Sequence, residues 1–237
     1  DHTWLDFAPY QNPNLDKCYV LEDVSIGEPD PITYDPIDWR NVICHNEENG
    51  EIYVPNITGG TPDVVNGYLV GLEGPADYDH TLQSNYSTAY YGAVGGIHWF
   101  MTGDDVYEFT FDNLIWGHYT VHIQDGNGCW IYKESGEIEN PDTLMIEVLQ
   151  LVEHATCNGG EGTVQIDATG GVGEYMYAVD STLVPDPGSH TFPADLDLAE
   201  YLESLEWQSS DTFQVQAATW IAYVMDENGC VTGFATD

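Results

Sequence analysis

Five cysteines carry the reactive chemistry of this chain, and their spacing is regular. Cys18, Cys129 and Cys230 recur at near-equal intervals, and Cys44 and Cys157 are separated by a similar stretch. Two of the first set close the same motif, Asp-x-Asn-Gly-Cys, at residues 125–129 and 226–230. No Cys-x-x-Cys pair occurs, which argues against a zinc ribbon or a thioredoxin-like redox site and for structural disulfides in an oxidising compartment. Strand parity predicts bridges inside each repeat, Cys44 with Cys129 and Cys157 with Cys230. An even number of strands between the two turns brings both to the same end of a sandwich, within the roughly 4.4–6.8 Å between Cα atoms that a disulfide needs. The rival pairing crosses the junctions, Cys18 with Cys44 and Cys129 with Cys157. An insertion that adds an odd strand favours it.

Oxygen-rich turns are the second candidate chemistry. The Asp-x-Asn-Gly turns offer carboxylate and amide oxygens to Ca²⁺, but Asn-Gly is also a strong hairpin signal, and one turn supplies fewer than the six to eight oxygens that Ca²⁺ takes. Asp77 and Asp79, with Asp104 and Asp105, are the better cation candidates because they fall on one insertion. His118 and His122 share one side of an expected strand, without a third convergent ligand for a metal. No nucleophile elbow, phosphate loop or dinucleotide fingerprint is present, so the chain is not expected to be an enzyme.

The charge is one-sided. Forty-one acidic residues face three basic ones, Lys17, Arg40 and Lys133, for a net charge of −38. Nucleic acid and anionic membrane surfaces are repelled by such a chain, and no apolar stretch approaches the length of a membrane span. With 42% hydrophobic residues it still has the material for packed cores. The carboxylates form either a hydrated, self-repelling surface or sites neutralised by divalent cations.

The elements that position these groups are short strands. Ile52 and Val54 alternate with polar neighbours, as do Val164 and Ile166. Tyr119, Val121 and Ile123 form one face before the turn at Asp125, and Trp220, Ala222 and Val224 stand in the same register before Asp226. Such alternation marks half-buried strands. An opening strand is expected over 144–152. Gly59-Gly60 and Gly170-Gly171 end equivalent strands. The pattern predicts an all-β chain of tandem immunoglobulin-like β-sandwich units: residues 1–31 close a preceding unit, and 32–141 and 142–237 form one unit each. The units differ in two insertions, 76–107 and 181–212. The second predicts a short helix over 196–205, with Leu198, Leu202 and Leu205 on one face and Asp195 as its cap. In the first, Tyr86, Tyr90, Tyr91, Trp99 and Phe100 are the expected contact residues for sugars or other subunits, although aromatic residues fill cores at least as often. Asn56 and Asn85 begin Asn-x-Ser/Thr sequons.

In their combination these residues resemble the SprB repeat. The elements are Cys157, Gly162, Thr169-Gly170-Gly171, Tyr175 and Tyr177 in the last unit, and Leu114, Gly117, Tyr119-Thr120-Val121 and residues 125–129 in the middle one. The closing Glu-Asn-Pro-Asp-x-Leu at 139–144 also fits. The chain departs from the pattern in its long insertions and in Trp220, where the tyrosine of Tyr-Thr-Val would stand. The resemblance implies a secreted cell-surface adhesin of Bacteroidota, built of many repeats, of the kind used in gliding motility and attachment. It implies neighbouring copies of the unit, and surface polysaccharide, as partners. It carries no catalytic residues. It makes Asp-Thr-Leu at 142–144 and Asp-Ser-Thr at 180–182 candidate O-glycosylation motifs, with Thr143 and Ser181 as acceptors. The expected function is a structural and adhesive repeat of an extracellular fibre. The alternative is a carbohydrate-binding module of a secreted multidomain protein.

Overall fold

The computed structural model describes residues 24–181 and 197–235. The first set of strands is β1 (Asp38–Arg40), β2 (Gly50–Val54), β3 (Leu69–Glu73), a four-residue helix α1 (Tyr86–Ala89), β4 (Tyr90–Val94), β5 (Ile97–Met101), β6 (Phe109–Leu114), β7 (Gly117–Gln124) and β8 (Trp130–Ile138). These strands form two antiparallel sheets, ordered β1-β2-β6 and β4-β5-β3-β7-β8. The alternation read from the sequence decides which side chains meet between them. Ile52, Val54, Phe109, Phe111 and Leu114 from one sheet pack on Val70, Leu72, Phe100, Tyr119, Val121 and Ile123 from the other. Each such large apolar side chain, fully buried, stabilises the fold by about 1.5–3 kcal/mol.

The second set is β9 (Met145–Glu153), β10 (Glu161–Thr169), β11 (Met176–Asp180), a six-residue helix α2 (Leu198–Glu203), β12 (Thr212–Gln216), β13 (Ile221–Met225) and β14 (Val231–Ala235). Its sheets, β9-β10-β12 and β11-β13-β14, repeat the frame of the first set, from which only the hairpin β4-β5 is additional. Leu144, Ile166, Ala222 and Val224 lie between them. The chain is therefore all-β, two immunoglobulin-like sandwich units in tandem, with a short helix in each insertion where one was expected in the second alone.

Two local devices recur in both units. Gly59 and Gly170 both adopt φ of +78°, where a side chain is strained. A Cβ on either would lie 2.0 Å from a carbonyl oxygen, that of Pro31 or of Thr143. The next glycine's N–H donates to Asp30 O in one unit (2.7 Å) and to Asp142 O in the other (2.8 Å). The second device is a corner before the central strand. The Tyr119 hydroxyl donates to Ile115 O at 2.9 Å, and the Trp220 indole N–H donates to Gln216 O at 2.9 Å. Trp220 thus replaces the expected tyrosine and keeps its bond.

The insertions complete the sheets. In the first unit β4 and β5 extend one sheet. In the second, α2 covers the outer face of β13, so Ile221 and Tyr223 are buried as well as Ala222 and Val224. The helix is shorter than expected. Its cap is Asp197, which accepts from Ala199 N and Glu200 N, while Asp195 lies outside the described residues. The face against β13 is Tyr201, Leu202 and Leu205. Leu198 does not belong to it: it is 44% exposed, because the helix begins only at that residue.

Candidate functional site: the unit junction and the aromatic insertion

The closing turns of the two units are the same object built twice. Asp125 and Asp226 are both 3% exposed. One carboxylate oxygen of Asp125 accepts from Asn127 N and Cys129 N; the other accepts from Thr61 N and its hydroxyl. Asp226 accepts from Asn228 N, Cys230 N and Val172 N in the same arrangement. Gly128 and Gly229, at φ of +79° and +83°, turn the chain back. Burial alone would raise the Asp125 carboxyl, but the bonds from Thr61, Cys129 and Asn127 outweigh it and hold it below the usual carboxylate range. These oxygens are occupied by N–H groups, so the motif works as a hairpin clamp.

That clamp fixes where the closing cysteines lie. Thr61 and Val172 follow β2 and β10, whereas Cys44 and Cys157 precede those strands. Opening and closing turns of one unit therefore sit at opposite ends of its sandwich. For the nine residues of β10 that is about 30 Å at roughly 3.3 Å per residue, far beyond the reach of a disulfide. The expected pairs, Cys44 with Cys129 and Cys157 with Cys230, are accordingly not formed. The bridge is Cys44–Cys230, with Cα atoms 5.7 Å apart, and Cys129 and Cys157 are exposed thiols. The rival pairing of Cys129 with Cys157 is not formed either, and Cys18 lies outside the described residues. Parity misled because the insertions return the chain without reversing it. β3 and β4 both pair antiparallel with β5 and so run in the same direction.

The bridge joins the opening turn of the first unit to the closing turn of the second. Around it polar groups tie the opening turn of the first unit to the second unit through Asn228 and to residues 139–141, the segment that leaves the first unit. Asn228 Nδ2 donates to Ile43 O at 2.9 Å. Asn46 and Asn140 exchange two bonds, at 2.9 and 3.1 Å, as do Asn41 and Glu139 at 2.9 and 3.0 Å. The His45 ring meets Pro141 O at 2.7 Å. Thr143 is exposed just past this junction, and Ser181 is half-buried at the end of β11.

The insertion of the first unit is pinned by Gln83, buried to 3%. Its side chain bonds both the N–H and the carbonyl of Asp112, and Asn113 Nδ2 donates to Leu82 O. This holds a row of rings: Tyr86 stacks on Tyr90 at 4.7 Å and His80 on His98 at 3.7 Å. Burial, with His80 beside it, holds His98 below the ordinary imidazole range. Of the expected contact residues only Tyr91 is well exposed, at 59%. Tyr86 and Tyr90 pack partly on the core. Phe100 is a core residue at 0% exposure and not a contact residue. Trp99 is also covered: it lies over Gly71, where a Cβ would come within 2.9 Å of its ring. His118 and His122 do not form a pair at the surface: His118 is exposed, while His122 is buried between Trp99 and Trp130, with ring centroids 6.0 and 6.3 Å away, and its Nε2 is 3.6 Å from Glu73. The half-exposed Trp130 and Trp116 are surface aromatics that the sequence reading did not single out.

Asp79 caps a single 3-10 turn (His80–Leu82). Asp105, at φ of +56°, accepts from the Tyr107 hydroxyl. Asp77 and Asp104 are exposed. Among the described residues no three His, Cys, Asp or Glu side chains gather as a metal site. Among them, too, no helix is long and apolar enough to cross a membrane.

No family model matches the chain, and no curated protein does. Solved structures do. A C-terminal 282-residue fragment of intimin, in complex with the intimin-binding domain of the translocated intimin receptor, is matched at 12% identity over 89% of this chain, with a TM-score of 0.37. The chain spans 64% of that fragment. The two immunoglobulin domains of DIP-gamma match at 12% identity over 88% of this chain and 95% of that one, TM-score 0.33. Titin domains Z1Z2 in complex with telethonin match at 12% identity over 90% and 96%, TM-score 0.28.

Proposed function

We propose that this chain is a structural and adhesive segment of an extracellular surface fibre built of tandem sandwich units, of the kind that the SprB resemblance implies. The observation that supports it best is the junction. A disulfide and the Asn228–Ile43 bond fix one unit against the next, and paired amide bonds hold the joining segment to the first unit, which suits a stiff array better than a flexible string of binding modules. The bridge fits an oxidising compartment, and the net charge of −38 fits a hydrated surface exposed to salt. The adhesive contacts fall to the exposed rings Tyr91, Trp116 and Trp130, with neighbouring copies as the structural partners and surface polysaccharide as the ligand class. Thr143 and Ser181 are the glycan acceptors of this reading. Antibodies against the chain should decorate filaments on intact cells of its source. Labelling only after permeabilisation would overturn the proposal.

A further inference from the structure

The two free thiols stand at positions where the molecule has already built a bridge. Cys129 closes a turn that matches that of Cys230 in its backbone bonds. The Asp N–H meets the cysteine carbonyl at 2.8 and 3.0 Å, and the last glycine N–H meets the Asp carbonyl at 3.0 Å in both. Cys157 opens a turn that matches that of Cys44: its carbonyl accepts from Gly160 N at 3.0 Å, where Cys44 O accepts from Glu47 N at 3.1 Å. Asn127 occupies the place of Asn228, with its amide resting on Thr61 Oγ1 at 2.5 Å where Asn228 reaches across to Ile43. Each unit thus has an opening half-site at one end and a closing half-site at the other. In the pair of units one opening and one closing half-site are joined. Cys129 and Cys157 are the two left over, and they lie at opposite ends of the pair.

From this we infer that Cys129 and Cys157 are the two halves of an inter-unit disulfide, each taking a further copy of the unit. Cys157 pairs with the closing cysteine of the unit that follows, and Cys129 with the opening cysteine of the unit that precedes. This deepens the fibre reading and rests on it. The contact is heterologous and head-to-tail, so it propagates rather than closes. The oxidant is a low-molecular-weight disulfide. One cysteine thiolate attacks it, expels one thiolate and forms a mixed disulfide. The second cysteine then displaces the other thiolate, so that two protein thiols become one bridge as one oxidant disulfide becomes two thiols.

The test uses the full chain with Cys18→Ser, at high protein concentration in a buffer of oxidised and reduced glutathione. The expected result is a non-reducing ladder of dimers, trimers and longer species whose peptide map shows Cys129 linked to Cys157 between molecules and Cys44 to Cys230 within them. Adding Cys129→Ser or Cys157→Ser should abolish the ladder, and mixing those two variants should restore dimers only. Thiols that stay free under conditions that form the Cys44–Cys230 bridge would overturn the inference. So would Cys129 linked to Cys129, or Cys157 to Cys157, at statistical yield, or a Cys129–Cys157 link inside a monomer. A Cys44 to Cys129 peptide would remove the junction itself. Filaments on intact cells that carry both cysteines as thiols would leave the fibre standing and the disulfide rejected.

Discussion

Tyr119 and Trp220 make one and the same bond. Each reaches back four residues from the head of the central strand, to Ile115 O and Gln216 O, both at 2.9 Å. A phenol and an indole are not isosteric, so what the frame retains is the donor. Tyr119→Phe should therefore destabilise the first unit by about 1–3 kcal/mol, since it leaves that buried ring's carbonyl partner without its donor. Trp220→Phe should cost the second unit less, about 0.5–1.5 kcal/mol, because water can reach the carbonyl it leaves. Urea titrations of each variant, followed by fluorescence, check both.

Cys44→Ser should cost about 2–4 kcal/mol, because the bridge restrains a long stretch of the unfolded chain. It should also loosen one unit against the other, since it removes the covalent link and leaves the Asn228 to Ile43 bond at that junction. Denaturation with and without reductant gives the first effect. Small-angle scattering, showing a broader distribution of interunit distances, gives the second.

Gly59→Ala and Gly170→Ala should each destabilise strongly, by about 2 kcal/mol or more. Both residues have φ of +78° and no room for a Cβ. Gly95→Ala tests the steric part. It has positive φ but nothing within 4 Å of an added Cβ, so its cost should be the smaller. Thermal melts of the three variants rank them.

Acid should weaken the first unit through Asp125. Its carboxyl is held low in the fold and titrates near 3.9 when unfolded. The stabilisation is therefore present above about pH 4 and lost as pH falls through the lower folded value. Asp125→Asn should lose stability at neutral pH, since its amide faces donors, and should show a shallower decline between pH 5 and 3. Melting temperatures measured against pH for both proteins decide it.

Calcium should stabilise the chain no more than NaCl of equal ionic strength through these turns, because the oxygens of Asp125 and Asp226 already accept N–H bonds. Parallel melts in the two salts check it. A Ca²⁺-specific rise would place a site elsewhere on the acidic surface.

The frame was legible because period-2 alternation and paired turns are local. Ile52 and Val54, the face of Tyr119, Val121 and Ile123, the Gly-Gly breaks and the opening strand, expected over 144–152 and found at Met145–Glu153, were all readable from neighbours in sequence. What could not be read was non-local. The partner of Cys44 depends on how many times the chain reverses, and the insertion before β4 carries it back without a reversal. Phe100 and Trp99 resembled loop aromatics because nothing in residues 76–107 announces that β5 slots beside β3. Leu198 matched the helical spacing of Leu202 and Leu205, but the helix begins only there, and the side chain stays exposed. Trp220 was visible as a departure, whereas its equivalence to Tyr119 needed the bond.

The Cys44–Cys230 bridge also sets how the molecule responds to being pulled. Tension entering before Cys44 and leaving after Cys230 crosses at the sulfurs, so the intervening stretch, a sequence separation of 186, is short-circuited. At about 3.3 Å per extended residue, roughly 600 Å of slack is locked away. The parts of both sandwiches between the two cysteines are shielded from that tension, whereas β1 and β14 lie outside the bridge and bear it.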